Sequence, residues 1–336
     1  MKVLFIGGTG NISTSVSKLC IQNGIELFLL TRGTKNVTIP GVKIITADYK
    51  NYDELKYKLK NYKWDVVVNW IAFETNDIEK DLDLFRSKTN QYIFISSASV
   101  YQKPPKHPII TESTPLFNPY WLYSQNKIKC EERLNRAYQE ENFPVTIVRP
   151  SLTYDTVIPV IFGGWTEYTV IERIKKGKKI FVHGDGSSLW TITHAEDFAK
   201  GFYGLQGHQQ AIGHSFHITS DELLTWNQIY QSVAAAVGVE ANIVHIPSDF
   251  IGGYSERLYG SLLGDKSWSV IFDNSKIKRF VPDFVASIPF NKGIKKTLDW
   301  FETDPNRQIV NEESNQLFNK IIDDYESLLI KKNNIC

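Results

Sequence analysis

Short, almost unbroken apolar runs alternate with segments of helical spacing in the first half of the chain. Such runs are typical of strands that are buried on both faces of a sheet. They predict strands over residues 2–6, 26–30, 42–47, 65–70, 92–96 and 145–149. Because the strands alternate with helices, their order predicts an α/β fold built on a doubly wound parallel sheet.

The segments between these strands carry helical patterns. In the first of them, Ile12, Val16, Leu19 and Cys20 recur at a spacing that places them on one face, and Gly24 supplies a stop. We therefore expect Cys20 to be a small core residue rather than a reactive thiol. A long charged helix is predicted over residues 123–141.

The second half of the chain is less regular. Its patterns predict helices over residues 168–175, 226–237 and 291–301, and a strand over 180–183. We expect a Rossmann-type dinucleotide-binding domain over residues 1–155, with a return segment near 187–207. A smaller α+β substrate domain is expected over most of residues 156–330.

A glycine-rich turn, Gly7-Gly8-Thr9-Gly10-Asn11-Ile12, follows the first strand and opens the first helix. Glycines let a backbone turn sharply and approach a pyrophosphate, which then lies on the helix N-terminus. The third glycine of the usual motif is replaced by Ser13, a residue small enough for close packing. An ordinary glycine turn is the alternative, but the strand–turn–helix context favours a dinucleotide site.

The second strand ends without the acidic residue that would hold the adenosine ribose of NAD. Thr31 stands in that position and Arg32 follows it. Since an arginine can pair with a 2′-phosphate through two hydrogen bonds, we expect NADP(H) to be preferred over NAD(H). A solvated surface arginine is the alternative. Asp48 is expected near the adenine amino group, and the backbone at Ile71 and Ala72 is expected to pass close to the cofactor.

Tyr123 and Lys127 stand four residues apart at the start of the long helix, and so lie on one helical face. A tyrosine with an ordinary pKa near 10 is a poor base at neutral pH, and a nearby ammonium lowers that pKa. Ser97 follows the fifth strand, where residues face the ligand crevice of a parallel sheet. Its hydroxyl is suited to binding the oxygen that Tyr123 protonates. A polar turn is the alternative explanation for the serines at this strand end.

Composition and charge narrow the function classes further. The formal net charge is +1, which favours neither a nucleic-acid partner nor a membrane surface. The 3 cysteines are odd in number and widely spaced, and the histidines form no ligand-spaced cluster, so neither a disulfide framework nor a metal site is expected. No secretory or membrane segment is visible, and we expect a cytoplasmic protein.

These elements, in this order, resemble the extended short-chain dehydrogenase/reductase superfamily, in its NAD-dependent epimerase/dehydratase branch. The resemblance extends over nearly the whole chain. Beyond the glycine turn and the Ser97, Tyr123 and Lys127 triad, it includes Arg149-Pro150 at a strand end and His194-Ala195-Glu196-Asp197. The resemblance implies that Tyr123 moves a proton on a substrate hydroxyl, that Ser97 orients its oxygen, and that Lys127 holds the cofactor ribose.

The residue patterns and the resemblance together give two sets of expected binding residues. The expected cofactor residues are Gly7, Thr9, Gly10, Asn11, Ile12, Thr31, Arg32, Asp48, Tyr49, Ile71, Ala72, Lys127 and Pro150. The expected substrate residues are Ser97, Ser99, Tyr123, Trp190 and Lys266. In this family the helices that flank the tyrosine commonly form dimer interfaces, so the resemblance is compatible with a homodimer.

Three functions are compatible with these features. The first is an NAD(P)-dependent epimerase or oxidoreductase acting on a sugar, in particular a nucleotide-linked sugar. The second is an NADPH-dependent reductase of a small carbonyl compound. The third is a non-catalytic or nucleic-acid-binding relative with the same fold, which the intact triad and the near-zero net charge disfavour. Ala98 and Ser99 replace the acidic pair of the family's 4,6-dehydratases, so that activity is not expected.

One departure from the family concerns the substrate. Relatives that bind nucleotide sugars usually carry an arginine four residues before the histidine of the His194 stretch, and here that position is Trp190. An indole N–H donates one hydrogen bond and carries no charge. Either Lys266 or Arg257 replaces the lost cation, or Trp190 packs in the fold and the substrate carries no diphosphate.

Overall fold

A seven-stranded parallel sheet forms the centre of the computed structural model, which describes residues 1–34 and 39–333. The strands are β1 (Lys2–Ile6), β2 (Glu26–Thr31), β3 (Lys43–Thr46), β4 (Trp64–Asn69), β5 (Thr89–Ile95), β6 (Val145–Pro150) and β7 (Ser215–Ile218). Their order is β7-β6-β5-β4-β1-β2-β3, and every neighbouring pair is parallel. The doubly wound parallel sheet predicted from the sequence is confirmed.

Twelve α-helices accompany the strands in the described part of the chain. They are α1 (Asn11–Gln22), α2 (Tyr52–Leu59), α3 (Thr75–Phe85), α4 (Leu122–Glu141), α5 (Thr169–Lys175), α6 (Ala195–Leu205), α7 (Trp226–Ala236), α8 (Ser248–Gly252), α9 (Glu256–Ser261), α10 (Ser275–Phe280), α11 (Phe290–Glu302) and α12 (Glu312–Asn333). The five helices predicted from spacing correspond to α1, α4, α5, α7 and α11, with ends that differ by one or two residues.

Both faces of the sheet are covered, which explains the unbroken apolar runs. Val3 and Phe5 of β1 pack with α1 and α6, whereas Leu4 and Ile6 pack on the opposite face with α2, α3 and α4. Successive side chains of a strand point to opposite faces, so a strand buried on both needs apolar residues at every position. Cys20 lies in the first of these cores, where burial raises its pKa to about 11.

The strand β7 was not predicted. Its sequence, Ser215 to Ile218, alternates polar and apolar residues and includes His217, so it lacks the run that marks the other strands. It pairs with β6 at the edge of the sheet, beyond the predicted return segment over residues 187–207. That segment does contain α6, which packs against α1.

The rest of the second half forms a separate apolar core beneath α5, α7, α11 and α12. Four pairs of short strands brace it: Ile180–His183 with Ile243–Ile246, Leu152–Tyr154 with Ile192–His194, Leu189–Trp190 with Leu224–Thr225, and Ile109–Ile110 with Ile271–Phe272. Two contacts tie α1 to this half: Asn11 Nδ2 donates to the Thr153 carbonyl (2.8 Å), and Ser15 Oγ donates to Asp155 (3.1 Å). Of the helices described, none is both long and apolar enough to cross a membrane.

Candidate active site

A cavity of about 960 Å³ lies along the carboxyl ends of the parallel strands. This is the edge at which open α/β sheets bind their ligands. Most of the residues expected at the cofactor and catalytic sites line it: Gly7, Thr9, Gly10, Asn11, Ile12, Thr31, Arg32, Asp48, Tyr49, Ile71, Ser97, Tyr123, Lys127 and Pro150. One cleft therefore unites residues as far apart in the sequence as Gly7 and Pro150.

The glycine turn between β1 and α1 forms one end of this cleft. Gly7 and Gly8 adopt φ angles of 94° and 97°, which side chains rarely allow. A Cβ atom on Gly8 would also stand only 2.7 Å from Leu29 Cδ2. Ser13 Oγ accepts a hydrogen bond from the Gly10 amide (2.8 Å), so the serine at the third glycine position closes the turn.

This turn fits the pyrophosphate of a dinucleotide. Its backbone is free of side chains where a ligand must approach, and the N-terminus of the 12-residue helix α1 opens beside it. Asn11 Oδ1 is buried in the cleft and has no hydrogen-bond partner among residues 1–34 and 39–333. A buried acceptor without a partner is costly, so a hydroxyl donor of the dinucleotide, on a ribose rather than on the pyrophosphate, would stabilise this arrangement.

The adenosine end of the cleft lies beyond β2. Arg32 is exposed there, and Lys50 lines the same cavity. Asp48 lies opposite, with its carboxylate accepting a hydrogen bond from the Lys50 amide (3.0 Å). Two cations at this end are compatible with an additional phosphate on the cofactor ribose.

Lys127 is buried below the middle of the cleft, in the second turn of α4. Its ammonium donates to the carbonyl oxygens of Ala72 (2.7 Å) and Ile95 (2.8 Å). Burial disfavours the charged form and lowers the pKa of Lys127 to about 8. An ammonium has three donors, so one remains for a ligand above it. Ala72, whose backbone is expected to pass close to the cofactor, does not line the cavity, and its carbonyl oxygen holds this lysine.

Tyr123 lies in the first turn of α4 with its ring between Phe73 (5.4 Å between ring centroids) and Trp121 (4.9 Å). Burial raises the pKa of Tyr123, and a hydrogen bond with Ser97 lowers it by less. The sequence predicts that Lys127 lowers the pKa of Tyr123. For the protein without ligands this prediction is wrong, because the pKa of Tyr123 is raised. The ammonium is directed to the carbonyls of Ala72 and Ile95, and desolvation of the phenol prevails.

Three serine hydroxyls lie in a row behind Tyr123. Ser124 Oγ donates to Ser99 Oγ (2.7 Å), which shares a hydrogen bond with Ser97 Oγ (2.9 Å). Ser99 is only 2% exposed and does not line the cleft, so it orients Ser97 rather than reaching a substrate. Ala98 is buried as well, and neither residue offers a carboxylate.

Trp190 and Lys266, predicted to bind substrate, do not line the cleft. Trp190 is 2% exposed and packs against the buried ring of Trp226 (5.7 Å between centroids), so of the two alternatives the structure favours packing in the fold. The Lys266 ammonium lies near Ser261 Oγ (3.2 Å) and Asp265 (3.4 Å), and its carbonyl accepts the Trp226 indole N–H (3.1 Å). Both residues therefore make contacts within the fold and do not reach the cleft.

A buried carboxylate beneath the cleft was missed by the sequence analysis. Asp81 of α3 is fully buried and accepts hydrogen bonds from Asn69 Nδ2 (2.5 Å), Tyr49 OH (3.1 Å) and the Tyr92 hydroxyl. Asn69 Oδ1 in turn accepts from the amides of Ile71 (2.9 Å) and Ala72 (2.8 Å). Asp81 therefore fixes the loop whose Ala72 carbonyl holds Lys127.

Two further wall segments were not predicted. Ser151, Leu152 and Thr153 follow β6 and line the cleft, as does Trp165. Trp165 is 42% exposed and adopts φ = 62°, which is strained for a bulky residue. No sequence signal marks it, because the strain follows from the turn between Ile158 and Trp165. Within the described residues, no group of His, Cys, Asp and Glu could hold a metal ion.

Comparison with known proteins agrees with this geometry. The sequence profile of the NAD dependent epimerase/dehydratase family matches residues 3–218. The chloroplast stem-loop binding protein of 41 kDa b from Arabidopsis thaliana is 28% identical over 74% of this chain and 67% of its own length. The 2′-dehydrokanamycin reductase of Streptomyces kanamyceticus is 22% identical over 84% of this chain and 80% of its own length.

The fold is shared with solved structures as well. UDP-glucose 4-epimerase from Bifidobacterium longum, solved in complex with NAD+ and UDP, superimposes with a TM-score of 0.72 at 18% identity. The match covers 91% of this chain and 100% of that protein. The chain therefore belongs to the NAD-dependent epimerase/dehydratase family of extended short-chain dehydrogenases/reductases.

Proposed function

We propose that the protein transfers a hydride at a hydroxyl- or keto-bearing carbon of a sugar, with Ser97, Tyr123 and Lys127 as its catalytic residues. The observation that carries this proposal is that all three residues line the same cleft as the glycine turn. An NAD(P)-dependent oxidoreductase and an epimerase both fit, because both begin with the same hydride and proton transfer.

The nicotinamide ring supplies the hydride chemistry when the cofactor is bound. The residues of this chain perform the rest. Tyr123 holds or takes the proton of the substrate hydroxyl, and Ser97 binds the same oxygen. Lys127 has one free donor for the cofactor ribose, and any positive charge near Tyr123 favours its phenolate.

The cofactor preference proposed is NADP(H). Arg32 and Lys50 at the adenosine end supply positive charge for a 2′-phosphate, and Thr31 leaves the end of β2 without a repelling carboxylate. The residues Gly7 to Ile12, Asp48, Tyr49, Ile71 and Pro150 would contact the rest of the dinucleotide from the cleft wall.

Tyr123→Phe tests the proposal. NADP⁺ reduction would be followed by absorbance with a panel of glycosides, nucleotide sugars and polyols, and NADPH oxidation with their keto forms. Because only the phenolic proton is lost, turnover should fall by roughly 10² to 10⁴ with cofactor affinity nearly unchanged. Tyr57→Phe, at a tyrosine that is 69% exposed on α2, is the matched control. A Tyr123→Phe enzyme that kept more than about a tenth of the wild-type rate would exclude this tyrosine as the proton donor.

Retention of the cofactor during purification distinguishes an epimerase from a net reductase. An epimerase returns its cofactor to the starting state in every cycle, so it gains from keeping the cofactor bound. A net reductase must exchange it. Mass spectrometry of the nucleotide released by denaturing the purified protein, together with the stoichiometry of NADPH consumed per product, therefore distinguishes an epimerase from a reductase.

A second class of function is supported by one relative, whose name describes a stem-loop binding protein. Titration of a labelled RNA stem-loop into the protein tests it. Since the formal net charge is only +1, we expect no saturable binding at physiological salt. Tight binding that survives such salt, with no turnover of any carbonyl or hydroxyl compound, would favour the non-catalytic function.

A further inference from the structure

A second cavity, of about 800 Å³, adjoins the cofactor cleft. Phe73 and Tyr123 belong to the walls of both cavities, so the two spaces meet at the catalytic tyrosine. We call the second space the aromatic groove, and define it by Phe73, Tyr120, Trp121, Leu122, Tyr123 and residues 252–257 and 259.

The walls of the aromatic groove are rings on two opposing elements. Tyr120 and Trp121 precede α4, and Tyr259 projects from α9, with 6.4 Å between the ring centroids of Tyr120 and Tyr259. Glycines of the opposing segment let it approach Trp121: a Cβ atom on Gly260 would stand 2.4 Å from Trp121 Cδ1. This close approach shows that the groove wall is a packed part of the fold.

The rim of the aromatic groove is left open. Leu122 is 66% exposed and Tyr259 is 42% exposed, although both are large and partly apolar. Large exposed apolar groups beside a catalytic residue are expected where a ligand covers them. The phenolic hydroxyls of Tyr120 and Tyr259 and the hydroxyl of Ser255 add hydrogen-bonding groups to these walls.

The charge of the groove does not suit a diphosphate. Of the described residues that line it, the charged ones are Glu256 and Arg257, which are adjacent, exposed and opposite in sign. Two further cations lie near Trp121, and the Lys266 ammonium is 5.6 Å from the centroid of its ring. There Lys103, 2% exposed, and Lys266 face Asp265, at 3.9 Å and 3.4 Å from its carboxylate oxygens. A diphosphate carries two or more negative charges, and the described lining of the groove offers no net positive charge to pair with them.

We infer that the aromatic groove binds the body of the substrate, and that this substrate is an uncharged glycoside or oligosaccharide without a diphosphate. The inference rests on the proposed function, which supplies the reacting hydroxyl at Tyr123. A pyranose presents a flat face of C–H groups that packs on an aromatic ring, while its hydroxyls reach the tyrosine and serine hydroxyls at the edges. The adjacent Glu256 and Arg257 add no net charge.

The test measures binding and turnover with matched probes. Saturation-transfer NMR and enzyme kinetics on the NADP⁺-loaded protein would compare methyl glucoside, methyl galactoside, maltose and lactose with UDP-glucose and UDP-galactose, and with a 3β-hydroxysteroid. We expect binding of at least one uncharged saccharide and no gain in affinity from the diphosphate. Tighter binding of the UDP-sugars or of the steroid, or no binding of any uncharged saccharide, would overturn the substrate class.

Variants at the open rim then test the groove itself. For the best saccharide, Tyr259→Ala should raise Kd and KM at least about fivefold to tenfold, because a stacking surface is lost. Tyr259→Phe should keep most of the affinity. The KM for NADP⁺ should not change, and Tyr57→Ala, on the distant helix α2, is the matched control. An unchanged saccharide KM in Tyr259→Ala would exclude the groove.

A second copy of this chain is the competing occupant of the groove. If Tyr259→Ala changed the sedimentation coefficient and left saccharide affinity unchanged, the groove would be an interface, and the inference would be wrong. Failure of the proposed function is a separate result. It would appear as a Tyr123→Phe variant that retains activity, whatever occupies the groove.

Discussion

At the scale of single residues, Lys127 shows how the fold buries a group that we propose to be catalytic. The residue is 5% exposed, and the carbonyls of Ala72 and Ile95 take two of its three hydrogens. Its sequence position four residues after Tyr123 predicted proximity, but not this burial. The carbonyls come from the loop after β4 and the end of β5, which only the folded sheet brings together.

The pH dependence of stability should reveal this burial. The folded pKa of Lys127 is about 8, below the roughly 10.4 of an unfolded lysine, so the folded state holds fewer protons between these values. Stability from this group is therefore absent below about pH 8 and grows as pH rises towards about 10.4. Urea unfolding measures the difference in unfolding free energy between Lys127→Met and wild type. This difference should favour the variant more at pH 7 than at pH 9.5, by roughly 2 kcal/mol.

The matched control for that experiment is Lys129→Met, an exposed position on the same helix. The difference in unfolding free energy between Lys129→Met and wild type should stay constant over the same pH range. If the Lys127→Met difference also stayed constant, Lys127 would not titrate in this interval and the desolvation argument would fail.

Arg32 is the residue on which the proposed cofactor preference depends. It is exposed at the adenosine end, and a charge-assisted contact with a 2′-phosphate contributes about 1.5–3 kcal/mol. We expect NADPH to bind roughly tenfold to a hundredfold more tightly than NADH, and Arg32→Ala to remove most of that difference. Fluorescence titration with each cofactor measures this difference in affinity. Arg136→Ala, at an exposed position on α4, is the control. Tighter NADH binding that Arg32→Ala leaves unchanged contradicts the preference.

At the scale of elements, the turn between β1 and α1 could be predicted because its determinants are local. Gly7, Gly8 and Gly10 stand beside an apolar run and a helical pattern, and nothing distant is needed to interpret them. Asp81 could not be predicted in this way. It stands in the charged stretch Glu79-Lys80-Asp81-Leu82-Asp83, which is typical of a solvated helix face. Its three hydrogen-bond partners come from β4, from β5 and from the connection between β3 and α2.

Asp81→Asn should weaken the hydrogen bonds that hold Asn69, and with it the loop at Ile71 and Ala72 beside the cleft. An amide cannot accept all the donors that Asn69, Tyr49 and Tyr92 direct at Asp81, so a buried donor is left unsatisfied. We expect a loss of about 1–3 kcal/mol in unfolding free energy and a higher Kd for NADPH, because the loop that holds Lys127 loosens. Chemical denaturation and cofactor titration measure the two effects.

The same helix offers a matched control for Asp81→Asn. Asp83 lies two residues further on, is exposed, and pairs with Lys56 at the surface (3.5 Å). Asp83→Asn should change stability and cofactor affinity little, since exposed ion pairs contribute little. If Asp81→Asn and Asp83→Asn changed stability and cofactor affinity equally, the hydrogen bonds to Asp81 would not position the cofactor site. A stability loss in Asp81→Asn without a change in cofactor affinity would show that Asp81 serves the core alone.

At the scale of the whole molecule, the sheet half of the protein was easier to predict than the second half of the chain. The sheet half repeats one unit with strong periodicity, and its ligand edge follows from strand direction. The second half is built from two- to four-residue strands and from helices of 5 to 22 residues that pack around one core, so its surfaces depend on contacts between distant segments. The packing of Trp190 against Trp226 and the aromatic groove between α4 and α9 both arise there.

The cofactor cleft joins these two halves, and this arrangement predicts how the molecule unfolds. Its walls include the turn before α1 and residues 150–153 and 165, and Asn11 bonds to the Thr153 carbonyl across the junction. A ligand that binds only the assembled cleft should stabilise both halves together. NADPH at about 100 times its Kd should add about 2.7 kcal/mol to the unfolding free energy.

Urea unfolding monitored by circular dichroism and by tryptophan fluorescence measures this linkage. With NADPH, the transitions seen by both probes should shift together, and hydrogen exchange should slow both in the turn after β1 and in residues 150–153. NADH at the same concentration should shift them less, and Arg32→Ala should remove the difference between the two cofactors. If NADPH shifted one transition and left a second at its original midpoint, the halves would unfold independently, and the cleft would belong to the sheet half alone.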